Sequence, residues 1–306
     1  MSLDVTADVR ALYEALSAGE YEKAAERIPD TMLFLNVATG DVGRGRGAFL
    51  EYMRGWAAAF PDLQWTSIDV AGAGDRAIAE YEMTGCHTGP LLTPQGHVPP
   101  TGMDVQLRFC DVLEFGEEGM SQLRSYFDSN TLLRQLGLVS GSPLHAPDRR
   151  APLELYAQTV DGTARERHKS IVRRFVLDVL NRQNPQAAVD TCSNDFRWHG
   201  GSLGQANDLK AYQRVLVTLF TAFPDLEVQV LDTVAEDDRV ALRFAMSGTH
   251  LGEFQGVPPT FKRISGSGMS TFRIDESRIV EEWWQGDVLV MLQQMDVGPA
   301  KLRLSR

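Results

Sequence analysis

The chain has 306 residues, 43% apolar and 23% charged, which excludes a disordered chain and allows two ordinary domains, each able to bury a core. A net charge of -11 with no local basic patch excludes a nucleic-acid backbone as partner. No run of eighteen apolar residues predicts a membrane span, and the acidic MSLDVTADVR is no export signal. The three cysteines, Cys86, Cys110 and Cys192, are too few for a disulfide framework or a thiolate metal site, so a reducing cytoplasmic setting is expected.

In chain order the periodicity predicts helix, helix, strand, helix, a meander of long strands and a terminal helix, and it does so twice. In the second round, ARERHKSIVRRFVLDVLN places Ile171, Phe175, Val179 and Leu180 at helical spacing, and NPQAAVDTC starts a second helix with Pro185 in its first turn. FRWHG reads as a short strand and DLKAYQRVLVTLFTAF as an amphipathic helix ended by Pro224. LEVQVLDTVAE, RVALRFAMSGTH, ISGSGMSTFRID and SRIVEEWWQGD then alternate as strands separated by turns. Helices followed by strands indicate α+β with an antiparallel sheet, and a curved sheet wrapped against helices encloses a ligand-sized cavity.

The two rounds share the phrase AFPDL, at Ala59–Leu63 and Ala222–Leu226, an offset of 163 (223 − 60). Read without a gap, that offset pairs Val9-Arg10 with Val172-Arg173, Ala24-Ala25 with Ala187-Ala188, and Gly85-x-His87 with Gly248-x-His250. It also sets Asn36 of TMLFLNV opposite His199 of FRWHG. After the histidine the offset falls to 159 (259 − 100), because HTGPLLTPQGHVPPTG is four residues longer than HLGEFQGVPPTF; Asp128 then pairs with Asp287. A repeat this long is a whole domain, so duplication and fusion are expected: domain 1 over 1–139, a Pro/Gly/Arg-bearing linker over 140–163 and domain 2 over 164–306.

AFPDL, the Asp-Arg turn, G-x-H, the G-x-PPT loop and RIVEEWWQGDVLVMLQQM together resemble the SnoaL-like polyketide (ester) cyclase family, and the first copy answers with GCHTG, PPTG and YFDSNTLLRQLG. The resemblance implies two tandem NTF2-like, cystatin-type cones. It also implies intramolecular aldol chemistry with an aspartate as general acid/base and neither metal nor cofactor. The family's aspartate, four residues after a Trp, falls on Asp287 after Trp283 and on Asp128, while its G-x-H histidine falls on His250 and His87. Since this fold hosts unrelated functions, the resemblance alone does not fix an activity.

Each candidate carries two readings. Strand alternation places Trp283, Gln285 and Asp287 on one face, and Arg124, Tyr126 and Asp128 on one face. If that face lines the cavity, the carboxylate is a base with a raised pKa; otherwise each aspartate caps the helix that follows. His250 and His87 either polarise a substrate carbonyl or hold a loop. Asn36 and His199 are pocket-facing donors or strand-end side chains. Arg124 stands where the second copy has Trp283, and beside Asp128 it would lower that acid's pKa. Gly43, Gly45 and Gly47 lack a phosphate-loop Lys-Ser/Thr, and the six histidines show no metal-ligand spacing. Trp56 and Trp65 are expected in the core or on a buried sheet face.

The expectation is thus a tandem protein whose cones pack as an intramolecular pseudo-dimer, possibly dimerising further, and act on a hydrophobic carbonyl compound as cyclase, isomerase or dehydratase. The rival is a non-catalytic small-molecule-binding or scaffold protein.

Overall fold

A computed structural model of the protein describes residues 5–93, 96–139 and 162–296; the expected linker lies outside them except for its last two residues. The described residues fall into two compact units, one within 1–155 and one within 156–298.

Unit 1 runs α1 (Val5–Ser17), α2 (Tyr21–Ala25), β1 (Leu33–Asn36), β2 (Val42–Arg44), α3 (Gly45–Ala59), β3 (Gln64–Ala73) and β4 (Arg76–Cys86). A small hairpin of β5 (Leu91–Thr93) and β6 (Gly96–Val98) precedes β7 (Asp104–Gly116), β8 (Gly119–Phe127) and α4 (Ser129–Gln135). Its sheet has the order β2-β1-β8-β7-β4-β3. Neighbours are antiparallel except β1 and β8, so the α+β class holds while the antiparallel sheet expected from the meander is mixed. The reason is topological: β1 precedes the meander and meets its last strand only through a long crossover, which no hairpin orients. Helix α1 buries Val9, Leu12, Tyr13 and Leu16, the i, i+3, i+4, i+7 stripe of a helix laid on a sheet. Helix α3 buries Phe49, Met53 and Trp56 in the same way.

Unit 2 begins with α5 (Gly162–Phe175), which continues as a π-helical turn over Val176–Asn181, and a 3₁₀ turn follows over Pro185–Asp190. Then come β9 (Cys192–His199), β10 (Gln205–Ala206), α6 (Leu209–Ala222), β11 (Glu227–Glu236), β12 (Arg239–Thr249), β13 (Arg263–Asp275), β14 (Arg278–Gly286) and α7 (Val288–Gln294). The sheet order β10-β9-β14-β13-β12-β11 repeats that of unit 1.

The gap-free offset does not survive between the π turn and β9. In unit 1 Ser17 donates to the carbonyl of Trp65; in unit 2 Asn181 donates to the carbonyl of Val228. Trp65 and Val228 are 163 apart (228 − 65), but Ser17 and Asn181 are 164 apart (181 − 17), so the widened turn has taken in one residue. The strand pairing agrees: Phe34 faces Leu123 and Trp198 faces Glu282. Leu123 and Glu282 are 159 apart (282 − 123), which makes Trp198, 164 residues on (198 − 34), the counterpart of Phe34. The expected equivalence of Asn36 and His199 is therefore corrected: Asn36 corresponds to Gly200, and His199 points to the other face of its strand. The loop before α6 restores 163, for α3 and α6 both end on the alanine of AFPDL.

AFPDL and G-x-H-x-G form one clasp. Phe60 and Phe223 close the helix, their N–H groups bonding the carbonyls of Trp56 and Leu219, and the proline ends it. Asp62 accepts the Cys86 N–H at 2.8 Å, and Asp225 accepts both the N–H and the hydroxyl of Thr249. Phe60 packs on His87 with ring centres 5.2 Å apart, as Phe223 does on His250 at 5.4 Å. The chain then passes so near the helix end that a Cβ on Gly89 would lie 1.8 Å from the Ala58 carbonyl oxygen, and one on Gly252 2.3 Å from that of Thr221. In the loop beyond, Phe261 adopts a φ of 60° where Gly102 has 68°, so the two loops share a bend that only glycine takes without strain.

Among the described residues no helix is long and apolar enough to cross a membrane. We expect Gly89→Ala to cost at least about 2 kcal/mol, because the obstructing atom is backbone and cannot rotate away. Urea unfolding of the variant checks this, and an unchanged midpoint would show that the clasp yields.

Candidate functional site

Asp128 and Asp287 sit at the N-caps of α4 and α7. Asp128 accepts the Asn130 N–H at 3.0 Å and the Thr131 hydroxyl at 2.8 Å; Asp287 accepts the Val290 N–H at 3.2 Å. These bonds satisfy first-turn donors that the helix cannot satisfy itself. His87 and His250 are fully buried, and each accepts at Nδ1 the N–H of the loop threonine, Thr101 or Thr260, at 3.3 Å, with the threonine hydroxyl at 3.0 Å. An Nδ1 that accepts an amide proton belongs to a neutral ring, and burial lowers both histidine pKa values in the same sense. Neither imidazole bonds the aspartate of its own unit.

The expected pocket-lining residues of the last strands lie on the sheet face away from each unit's apolar core. Leu123 and Phe127 belong to the core of unit 1, whereas Arg124 points the other way to Glu114 at 2.7 Å and to Gln122. Tyr126 shares that outer face. In unit 2, Trp284 packs on the core, and Trp283 instead stacks on His199, ring centres 5.5 Å apart, beneath the Arg239 guanidinium at 4.9 Å. His199 bonds Glu281 at 2.8 Å, and Arg273 bonds the same carboxylate. Gln285 shares the face of Trp283. The alternation holds, but both faces of these strands are buried, so the period marks two faces without saying which one meets the helices.

What the core face of unit 1 does carry is a polar row across three strands. Asn36 on β1 stands in register with Ser125 on β8, which stands in register with Asp111 on β7. All three are at least 95% buried. Tyr81 donates its hydroxyl to Asp111 Oδ2 at 2.9 Å, and Tyr13 from α1 donates to the same oxygen. Asn36 donates to the Tyr52 hydroxyl at 3.2 Å. Burial pushes the Asp111 carboxyl up to about 6, while the hydroxyls of Ser125, Tyr13 and Tyr81 favour the charged form and offset part of that rise. Asp111 Oδ1 and Ser125 Oγ make no well-formed hydrogen bond, although Ser125 stands near enough to favour the charged carboxylate. Tyr81 lies flat on Phe109 at 5.2 Å, and Trp65 meets both rings edge-on, so the carboxylate is walled by aromatic rings.

Unit 2 buries a carboxylate of its own at a different place. Glu282, on the core face of β14, accepts the Ser270 hydroxyl at 2.8 Å and the Tyr212 hydroxyl at 3.5 Å, and burial pushes it up to about 7. Sequence reading passed over both acids. Asp111 sits in the run FCDVLEF and Glu282 in EEWW, where an acid among apolar strand residues is the available signal. Among the described residues no cluster of three or more His, Cys, Asp or Glu could hold a metal ion. A buried carboxylate near neutrality, fixed at one oxygen and bare at the other, can take a proton and return it at physiological pH.

A family model described as SnoaL-like polyketide cyclase matches the chain twice, over residues 7–136 and 170–295. No curated protein matches. Among solved structures the chain is similar to IdmH of Streptomyces antibioticus, at 28% identity and a TM-score of 0.39 over 42% of this chain and 99% of that one. It is similar also to AclR of Streptomyces galilaeus, at 27% and 0.39 over 43% and 97%. A SnoaL-like polyketide cyclase from Agrobacterium tumefaciens C58 matches at 21% and 0.36 over 42% and 97%. Each is matched along nearly its whole length by less than half of this chain.

Above the ordinary carboxylate range a folded chain must pull a proton from these buried acids, so their burden on stability grows between about pH 4 and 7 and is constant above it. The shift from 3.8 to about 6 at Asp111 amounts to about 3 kcal/mol, and that from 4.5 to about 7 at Glu282 is similar. Relative to wild type, Asp111→Asn and Glu282→Gln should each gain up to about 3 kcal/mol between pH 4 and pH 8. Urea unfolding across that range measures it; a difference that does not vary with pH would mean the acids titrate normally.

Proposed function

Because the chain belongs to the SnoaL-like polyketide cyclase family, we propose that it is a cofactor-free acid/base catalyst acting on a hydrophobic carbonyl compound, with ring closure of aldol type as the leading reaction. The observation that supports this reading best is Asp111: a carboxylate walled by aromatic rings, anchored through Oδ2 by two tyrosine hydroxyls and bare at Oδ1. In the reaction Oδ1 takes a proton from carbon next to a carbonyl, and the electron pair of that C–H bond moves to the carbonyl oxygen. The enolate carbon then attacks a second carbonyl of the same molecule, forming the new C–C bond, and the resulting alkoxide recovers the proton from Asp111. Isomerisation or dehydration would use the same first step and a different destination for the proton.

In this reading Asp128, Asp287, His87 and His250 hold the frame, and the acid/base work falls to a residue one strand away from the expected one. Burial that lifts the pKa toward neutrality makes Asp111 a better base than an exposed carboxylate without leaving it protonated at pH 7.

The test is deuterium exchange at the carbon next to the carbonyl of 2-tetralone in D₂O, followed by NMR. We expect wild-type protein to accelerate exchange over buffer, with a rate that rises through about pH 6 as Asp111 ionises. Asp111→Asn should lower it by about 100-fold or more, while Asp128→Asn should retain it. Exchange no faster than buffer, or undiminished in Asp111→Asn, would end this reading.

A further inference from the structure

We propose that the duplication has left the two units chemically unequal, with the ligand-binding polar site kept in unit 1 alone, where it takes an aromatic molecule bearing an enol-like oxygen. That oxygen donates its proton to Asp111 Oδ1 and accepts from the Ser125 hydroxyl. The site deepens the catalytic reading above, since an enol is the species formed when a carbonyl neighbour loses its proton, but its binding is measured apart from turnover.

The inequality is visible position by position. Counterparts of Tyr13, Tyr81, Asp111 and Ser125 in unit 2 are Val176, Phe244, Ser270 and Trp284. The one-residue slip of β9 places Gly200 where unit 1 has Asn36. Every polar group of the row has thus been lost or changed. A Cβ on Gly200 would strike the Trp198 ring, so no larger side chain fits that place without moving the indole.

The acid that unit 2 buries instead is closed. Both oxygens of Glu282 are engaged, by Ser270 and by Tyr212, and no side-chain atom of these three residues is left unpartnered. Tyr212 is itself packed between Phe196, at 4.9 Å, and Trp198, at 5.7 Å. In unit 1, by contrast, Asp111 Oδ1 and Ser125 Oγ are both unpartnered, in residues at least 95% buried, on neighbouring strands in register. Leaving two such atoms unsatisfied costs free energy in an apolar core. One oxygen that gives a proton to the first and accepts one from the second relieves both. The flanking rings of Tyr81, Phe109 and Trp65 select a flat apolar body for that oxygen.

Binding of 2-naphthol, whose single hydroxyl can do both, tests the assignment by fluorescence titration, with 2-methoxynaphthalene as the analogue lacking the proton. We expect one 2-naphthol per chain. The methyl ether and the variants Asp111→Asn and Ser125→Ala should each weaken binding tenfold or more, while Glu282→Gln and Ser270→Ala stay within twofold of wild type. No binding by wild type, two equivalents per chain, equal loss in Glu282→Gln, or full binding by Asp111→Asn and Ser125→Ala would each overturn it. Binding with this pattern but no exchange of 2-tetralone would leave the site standing and remove the catalytic reading.

Discussion

The rest of each unit depends on a glycine that lets a strand exit graze the end of a helix. With Gly89 against the Ala58 carbonyl and Gly252 against that of Thr221, the end of the second meander strand is fixed relative to the long helix. Asp62 and Asp225 tie the same strand ends by their amides. Once that corner is set, the strand fixes the sheet and the helix fixes what lies over its core face. The buried histidine belongs to this corner: its ring packs on the phenylalanine of the clasp and its Nδ1 anchors the loop threonine. Two recurring sequence phrases, far apart along the chain, are two halves of one joint.

This explains how far the sequence could be read. Element order, duplication and fold class followed from periodicity and spacing, because those patterns record local geometry that both copies share. The corner also makes the histidines conspicuous, because the same ring packing and threonine bond recur in both copies. The face of the last strand was ambiguous for a different reason. Trp283 and Tyr126 are as buried as Leu123 and Phe127, so hydrophobicity alternates weakly and cannot point inward. Asp111 is not legible from the duplication, because its counterpart in the second copy is Ser270.

The two interior acids show how differently one fold can accommodate a buried carboxyl group. In unit 1 two phenols, which burial keeps protonated, converge on one oxygen and hold the group in a single orientation with its other oxygen exposed to the interior. In unit 2 a serine and a tyrosine take one oxygen each, which suits a neutral acid that binds its neighbours together. In unit 1 one carboxyl oxygen is bonded and the other is not; in unit 2 both are bonded. The difference lies in the distribution of hydroxyl donors, since burial and residue class are nearly the same.

The π turn in the first helix of unit 2 carries a consequence for how such proteins diverge. A strand reads its side chains out two at a time, so adding a single residue upstream reverses the phase of everything up to the next compensating loop. The helix absorbs the extra residue as one wide turn that still buries Val176 and Val179, and delivers the following strand half a period out of step. Residues that faced the interior then face outward, and a new set is presented, without any one of them being mutated. One inserted codon can in this way exchange an entire row of side chains, a change that substitution would reach only through a series of less stable intermediates.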